Sequence, residues 1–264
     1  MDLKLEDKKA FISGSTAGIG FAIAKRFLVE GATVIINGRS QESIDKAISE
    51  LKAETGSDKV TGIPADFSKV EEVDSLLKAL PEVDILINNA GIFEPKAFAD
   101  IPDEDWLRFF EVNVLSGIRL ARQYFPKMLA KNWGRIIFIS SESGVFIPDE
   151  MIHYGMTKTA QLAVSRGLAE LTKGTHVTVN SILPGPTKSK GVGKFIEDMS
   201  EKNGKSIQKV EEEFFQDMRP TSLIQRFAAV EEVADTVVYY SSPLASATNG
   251  ASIRVEGGLV KSII

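Results

Sequence analysis

The 264 residues include no cysteine, so disulfides, thiolate-held zinc and a cysteine nucleophile are excluded. Histidine is nearly as scarce: His153 and His176 are the only two, too few for a multi-histidine metal centre, and no metal is expected. No apolar run approaches the roughly 20 residues of a membrane span. Residues 1–7, Met-Asp-Leu-Lys-Leu-Glu-Asp, alternate charge with leucine and lack the apolar stretch of a secretory leader. Surplus positive charge is missing too: the net charge of −5 has the wrong sign for gripping a phosphate backbone. What is present is 43% hydrophobic and 25% charged residues. That balance offsets ordering entropy and excludes a disordered polymer. The expectation is a soluble, cytoplasmic, single-domain protein with neither nucleic acid nor membrane as partner. Catalysis would rest on Ser, Tyr, Lys, Asp or Glu, or on a borrowed cofactor.

The hydrophobic pattern changes period repeatedly. Short runs rich in branched residues, at 10–12, 33–36, 83–87, 135–139 and 177–182, read as strands buried on both faces. Weaker strands fit at 59–63 and 252–255. Between them lie helical-period stretches at 19–29, 42–54, 70–80, 106–130 and 156–172. Such alternation implies right-handed crossovers and an α/β fold: a Rossmann-like, doubly wound parallel sheet of about seven strands in one domain over 1–264. Only 187–223 breaks the rhythm. About 35 residues without a strand follow Pro184-Gly185-Pro186, carrying Phe195, Ile196, Phe214, Phe215 and a charged run at 209–213. They leave from the carboxyl end of a strand, where open α/β sheets bind ligands, and read as a helical substrate lid.

The first strand runs into Ser13-Gly14-Ser15-Thr16-Ala17-Gly18-Ile19-Gly20, and a helix begins at once. Gly14 permits a tight turn, Gly18 lets backbone amides approach a pyrophosphate, and Gly20 allows close helix–strand packing. The helix N-terminus offers N–H groups and a positive dipole end to phosphates. No Lys-Ser/Thr pair follows Gly20, which disfavours a nucleoside-triphosphate loop. The second strand ends in Asn37-Gly38-Arg39-Ser40, with no acid to hold a ribose 2′-hydroxyl. Arg39 can instead pair with a 2′-phosphate, which puts NADP(H) ahead of NAD(H). Ser15, Thr16, Ile19, Ser40 and Phe67 are expected beside the same cofactor. Asp66 either holds the adenine amino group or caps the next helix. Asn88-Asn89-Ala90-Gly91, ending the fourth strand, suits a backbone packed close to the nucleotide.

Ser140-Ser141 closes the fifth strand, and Tyr154-Gly155-Met156-Thr157-Lys158 follows. Tyr and Lys four apart on a helix share a face, placing an ammonium near a phenol. Lowering a phenol from its free pKa of about 10 to neutrality needs roughly 4 kcal/mol. One positive charge about 4 Å away at an effective dielectric of 20 supplies that magnitude. Ser141 can polarise a substrate carbonyl.

With these residues the chain resembles the classical short-chain dehydrogenases/reductases nearly end to end. The matching features are Gly14-x-x-x-Gly18-x-Gly20, Asn88-Asn89-Ala90-Gly91, Asn113, Ser141, Tyr154, Lys158, Pro184-Gly185 with Thr187, and the closing stretch 249–258. The resemblance implies Tyr154 as general acid/base and Ser141 orienting the substrate oxygen. It implies Lys158 on the nicotinamide ribose, Asn113 holding a relay water, and Thr187 on the carboxamide. It also implies a homodimer or homotetramer packed through the long helices. Three departures stand out. Ser13 replaces the usual Thr, Ala17 sits where many NADP users carry a base, and 223–232 resembles Leu-Gly-Arg-x-Gly-x-Pro-Glu-Glu without its glycines and proline.

The function so implied is reversible hydride transfer between nicotinamide and a small carbonyl or secondary alcohol. Ser143, Gly144, Val145, Phe146, Ile147 and Met151 are expected to wall the substrate pocket, with Ser141, Ser143, Val145 and Tyr154 touching the substrate. A 3-oxoacyl thioester is the alternative substrate; Asn132 and Thr175 stand where reductases of acyl-carrier proteins often have arginines. A catalytically silent dinucleotide sensor or scaffold is the alternative function. His176, Trp106 and Trp133 read as packing or surface residues; His153, next to Tyr154, reads as facing a neighbouring loop, the alternative being that it tunes the site.

Overall fold

Seven short segments dense in β-branched and aromatic residues pair as one sheet, all parallel, in the order β3-β2-β1-β4-β5-β6-β7. They are β1 (Lys9–Ile12), β2 (Thr33–Gly38), β3 (Val60–Pro64), β4 (Ile85–Asn88), β5 (Gly134–Ile139), β6 (Val177–Pro184) and β7 (Ser252–Val255). The computed structural model describes residues 1–263, without the side chains of Lys190 and Phe195. The lid expectation that named Phe195 therefore falls outside the described residues at that position.

Because both faces are covered, β4, β5 and β6 are buried at every position rather than at every second one. Ile12, Ile36, Ile87, Ile137 and Ile182 pack on one side with α1 (Gly18–Val29), α2 (Gln41–Thr55) and α9 (Val230–Tyr240). Phe11, Ile35, Leu86, Ile136 and Phe138 face the other way, towards α3 (Val70–Ala79), α5 (Ser116–Lys131) and α6 (Ile152–Glu170). Helix ends follow local chemistry. The Ser40 hydroxyl caps α2 by accepting from the Ser43 amide, and Gly56 ends that helix in the left-handed region.

The expected single helix over 106–130 is interrupted. It divides into α4 (Asp103–Phe110), a π-helical turn over Glu111–Leu115, and α5. The Ser116 amide reaches back to the Glu111 carbonyl, the wide bond of a π turn, with Asn113 at its centre. The 187–223 excursion folds into α7 (Lys190–Asn203), α8 (Ile207–Glu213) and a second π turn over Phe214–Met218. Ile196, Val210, Phe214, Phe215 and Phe227 give it a small core of its own. Beyond it, Gln225 occupies the place of the missing glycine at φ +48°, and Val230 takes the first position of α9, where proline would suit.

Candidate active site

The order of the sheet reverses between β1 and β4, opening a crevice at the strands' carboxyl ends. The glycine-rich turn lies at its floor. At Gly14, φ is +60° and a Cβ would stand 3.0 Å from the Ala90 backbone; at Gly20 it would stand 2.5 Å from the Gly14 carbonyl oxygen. Neither position has room for a side chain. Ser13 does the work of the missing threonine: its Oγ accepts the amides of Asn89 and Ala90, both at 2.9 Å. Asn89 Nδ2 donates to the carbonyls of Ser13 and Gly14. Asn37 Oδ1 accepts the Gly14 amide, and the Asn37 amide donates to Ser15 Oγ. Three strands are thereby pinned around one turn.

Gly14, Thr16, Arg39, Asp66, Phe67, Asn89, Ala90 and Gly91 line one cleft together. Arg39 is exposed, and Ser40 beside it caps α2. Asp66 Oδ1 accepts both the amide and the hydroxyl of Ser68, closing a turn ahead of α3 rather than capping it, since α3 starts at Val70 and its N-cap residue Lys69 makes no side-chain cap bond. Burial pushes the Asp66 carboxyl up, but the Ser68 bonds and the charges of Lys69 and Arg39 hold it below its ordinary value. Ser15 is fully buried behind the turn, and Gly18, whose Cβ would lie 3.4 Å from Ser189, faces the start of the excursion. Backbone amides at the head of α1, a bare glycine surface and a guanidinium at the rim form a donor set that fits a phosphorylated dinucleotide.

A second, contiguous pocket carries the reactive groups. Ile19, Asn89, Gly91, Ser141, Glu142, Ser143, Met151, Tyr154, Lys158, Pro184, Gly185 and Thr187 line it, roofed by Val192, Phe214, Met218, Arg219 and Phe227. The strand end of β5 delivers Ser141, and α6 delivers Tyr154 and Lys158 from one face. Lys158 Nζ lies 5.6 Å from the centre of the Tyr154 ring and donates to the Ile139 carbonyl at 2.9 Å. Asn113 is brought by the π turn beside Gly91, behind the pocket lining rather than in it. Its Oδ1 accepts the Ile92 amide at 2.7 Å, and its Nδ2 donates to the Ile92 carbonyl and to Thr157 Oγ1. Thr187 Oγ1 turns back to the Gly185 carbonyl.

Sequence reasoning did not foresee three groups here. Glu142, next to Ser141, is buried, and its Oε2 accepts the Ser141 hydroxyl at 2.5 Å. Burial pushes its carboxyl above the ordinary value, against the Ser141 bond and the charge of Arg219. Arg219 reaches in from the excursion and donates to Glu150 Oε1 at 2.9 Å. Gln161, three residues past Lys158 and on its face of α6, is buried against it. Helical spacing could have found Gln161; nothing local signals that Arg219 meets Glu150.

The electrostatics of the chain alone differ from the simple pairing argument. Burial raises the Tyr154 phenol above its usual value, Glu142 adds to this, and a Ser141 hydrogen bond opposes it. Burial lowers Lys158 to about 8, with Glu142 working the other way. The lysine commits two of its donors to carbonyl oxygens, at Ile139 and Gln161.

The expected pocket wall divides. Ser143 and Met151 line the cavity, and Gly144 packs on the Lys158 backbone. Val145, Phe146 and Ile147 stand outside it, 51%, 52% and 42% exposed. The short turn over Glu142–Gly144 redirects the chain outward, and Ile147 folds over Gly155. His153 is buried between the rings of Phe109 (4.1 Å) and Trp106 (5.9 Å) of α4, near Glu94 and Lys96 of the loop after β4. Trp133 stacks under Lys8 and Arg135.

A dinucleotide-type crevice joined to a pocket holding the half-buried Tyr154 beside the buried Lys158 defines an oxidoreductase of the Rossmann-like class. Comparison with known proteins narrows this. The family model described as short chain dehydrogenase matches residues 8–200. The chain is 51% identical to "Uncharacterized oxidoreductase YvrD" of Bacillus subtilis, over the full length of both chains. It is 33% identical to the 3-oxoacyl-[acyl-carrier-protein] reductase FabG of Aquifex aeolicus, covering 98% of this chain and all of the other. Among solved structures, L-sorbose reductase from Gluconobacter frateurii, complexed with NADPH and L-sorbose, superposes with a TM-score of 0.92 at 31% identity across both full chains. The protein belongs to the short-chain dehydrogenase/reductase family.

Proposed function

We propose that the protein is an NADP(H)-dependent reductase of a small ketone or aldehyde, or a dehydrogenase of the corresponding secondary alcohol. The single observation that carries this reading is the convergence of Ser141, Tyr154 and Lys158 on one pocket contiguous with the nucleotide crevice, with Asn113 bonded to Ile92 and Thr157 behind it. Arg39 at the crevice rim, with no acid on the turn from Asn37 to Ser40, supports the phosphorylated cofactor. The NADPH named in the sorbose reductase structure agrees with that choice.

Bound there, the reduced nicotinamide supplies a hydride to a carbonyl carbon. Tyr154 Oη gives a proton to the carbonyl oxygen, completing reduction to the alcohol; the reverse direction returns that proton to the phenolate. Ser141 Oγ orients the same oxygen. Lys158 holds the ribose hydroxyls and offsets phenolate charge. The head of α1 and Arg39 take the phosphates, while Ser40 and Phe67 flank them. Thr187, following Pro184 and Gly185, holds the carboxamide, and Asn113 supports the proton path. Residues 187–223 act as the substrate lid. A compact carbonyl compound suits the largely apolar roof better than an acyl-carrier thioester. Asn132 and Thr175 are spent internally, on the His176 amide and the Thr172 carbonyl. The exposed Leu107 and Leu171 on α4 and just after α6 suit a homodimer or homotetramer built through these helices.

The test is oxidation of NADPH and of NADH with a panel containing L-sorbose, ethyl acetoacetate and benzaldehyde. Turnover is expected with NADPH preferred, Tyr154→Phe retaining NADPH binding but losing at least about 100-fold in turnover. Arg39→Asp is expected to reverse the preference towards NADH. NADPH binding without turnover on any carbonyl would favour a silent sensor.

A further inference from the structure

Lys158 carries three N–H donors, and the fold commits two of them. One goes to the Ile139 carbonyl on β5 at 2.9 Å; the second goes to Gln161 Oε1 at 3.3 Å. The other end of the Gln161 amide is committed as well: Nε2 donates to the main-chain carbonyl of Asn113 at 2.5 Å. This carbonyl lies inside the π turn, between α4 and α5. The amide can sit in one orientation only. Turned over, its NH₂ would face an ammonium and its oxygen would face a carbonyl. Gln161 is 2% exposed, so no water competes for either bond.

We propose that Gln161 is a positioning residue of this active site, aiming the one uncommitted N–H of Lys158 into the crevice and tying the ammonium to the π turn at Asn113. The inference rests on the reductase reading above, since it gives the third donor a ribose to hold. With two fixed acceptors from different elements, the ammonium has a single direction left, towards the space shared by Tyr154 and Gly91. The same acceptor favours the charged form of the lysine where burial disfavours it. The other groups around Lys158 are few. From the turn after β5 comes the Glu142 carboxyl, and Tyr154 lies on α6 itself. The π turn and the segment after β4 contribute Asn113, Asn89 and Gly91, none of which titrates. Arg219 reaches Lys158 only through Glu142.

Two substitutions separate positioning from packing. Gln161→Met keeps the volume and removes both bonds; Gln161→Glu keeps an acceptor for the ammonium and adds charge. The readout is the dissociation constant of NADPH, followed by its fluorescence between pH 7 and pH 10 on the full chain. Wild-type affinity is expected to weaken as Lys158 loses its proton. In Gln161→Met, NADPH is bound about 10-fold more weakly at pH 7. The break with pH moves down by about one unit, because the ammonium has lost an acceptor. In Gln161→Glu the break moves up by a similar amount, since a carboxylate holds the proton. Opposite displacements in the two variants support the proposal, and either variant alone suffices if the other does not fold. Unchanged affinity and an unmoved break, with only the melting temperature lowered, would overturn it and leave Gln161 a packing tie. The reductase reading fails separately, if the wild-type protein binds NADPH and turns over no carbonyl.

Discussion

At the scale of single residues, His153 is the least expected arrangement. Its ring is 1% exposed, wedged between Phe109 and Trp106, and neither nitrogen has a hydrogen-bond partner among the described residues. Burial lowers its pKa, against the pull of Asp105 and Glu94 and with the repulsion of Lys96 and Arg108. A histidine depressed in the folded state is neutral in both states above its unfolded value of 6.5. Below that value the unfolded chain takes up the proton first, and stability is lost until the folded pKa is passed. The melting temperature is therefore expected to fall as the pH drops below about 6.5. His153→Phe, which keeps the aromatic contact, should flatten that slope; an unchanged slope in the variant would assign the loss to another group. Gln225 shows the same tension between composition and geometry. It holds a left-handed conformation usually left to glycine, helped by its Nε2 bond to the Ser222 carbonyl at 2.5 Å.

At the scale of elements, the excursion over 187–223 is clasped rather than merely laid on the surface. Phe214, Phe215 and Phe227 meet with ring centres 5.0 to 5.1 Å apart. Arg219 crosses from this cluster to Glu150, just before α6, its guanidinium also lying 5.7 Å from the Phe214 ring centre. The side chains of the pair are only 9% and 26% exposed, so water screens it weakly. Arg219→Met is expected to raise KM for the carbonyl substrate roughly tenfold while changing kcat little. Limited proteolysis within 187–223 should quicken in the same variant. Equal cleavage rates and an unchanged KM would show that the clasp does not hold the roof over the pocket.

Elements also show where the sequence was readable. Branched apolar runs located the strands because both faces of the sheet are buried, a pattern visible without any partner. The Tyr154–Lys158 pair and the glycine turn were readable because each lies within a few residues of chain. The π turn at Asn113 was not: one extra residue in a helix blurs the apolar spacing from Phe109 to Leu120 without breaking it. Val145 was misplaced for a related reason, since a three-residue turn decides whether the next side chains face the pocket or water. Arg219 and Glu150 lie 69 residues apart, a pairing that only the folded chain can make.

At the scale of the whole molecule, the sheet is a platform on which remote segments are assembled into one wall. No described helix is long and apolar enough to cross a membrane. On the outer surface, Leu107 of α4 is 70% exposed and Leu171, just past α6, is 64% exposed. Light scattering is expected to give two or four times the 28.8 kDa of one chain. Leu107→Lys should shift the distribution towards the monomer; a monomeric wild-type protein would remove the homo-oligomer from the reading.

The last strand finishes the pocket from behind. Gly185, in the pocket wall, lies so close to Glu256 that a Cβ would stand 2.7 Å from that residue's Cα. The Glu256 carboxylate in turn gathers the amides of Leu259 and Val260. During synthesis, then, a ribosome has already released Tyr154 and Lys158 into the cell long before their chamber has a back. Until Glu256 and the two amides it gathers have followed, the nascent polypeptide carries its reactive side chains without the surface that encloses them.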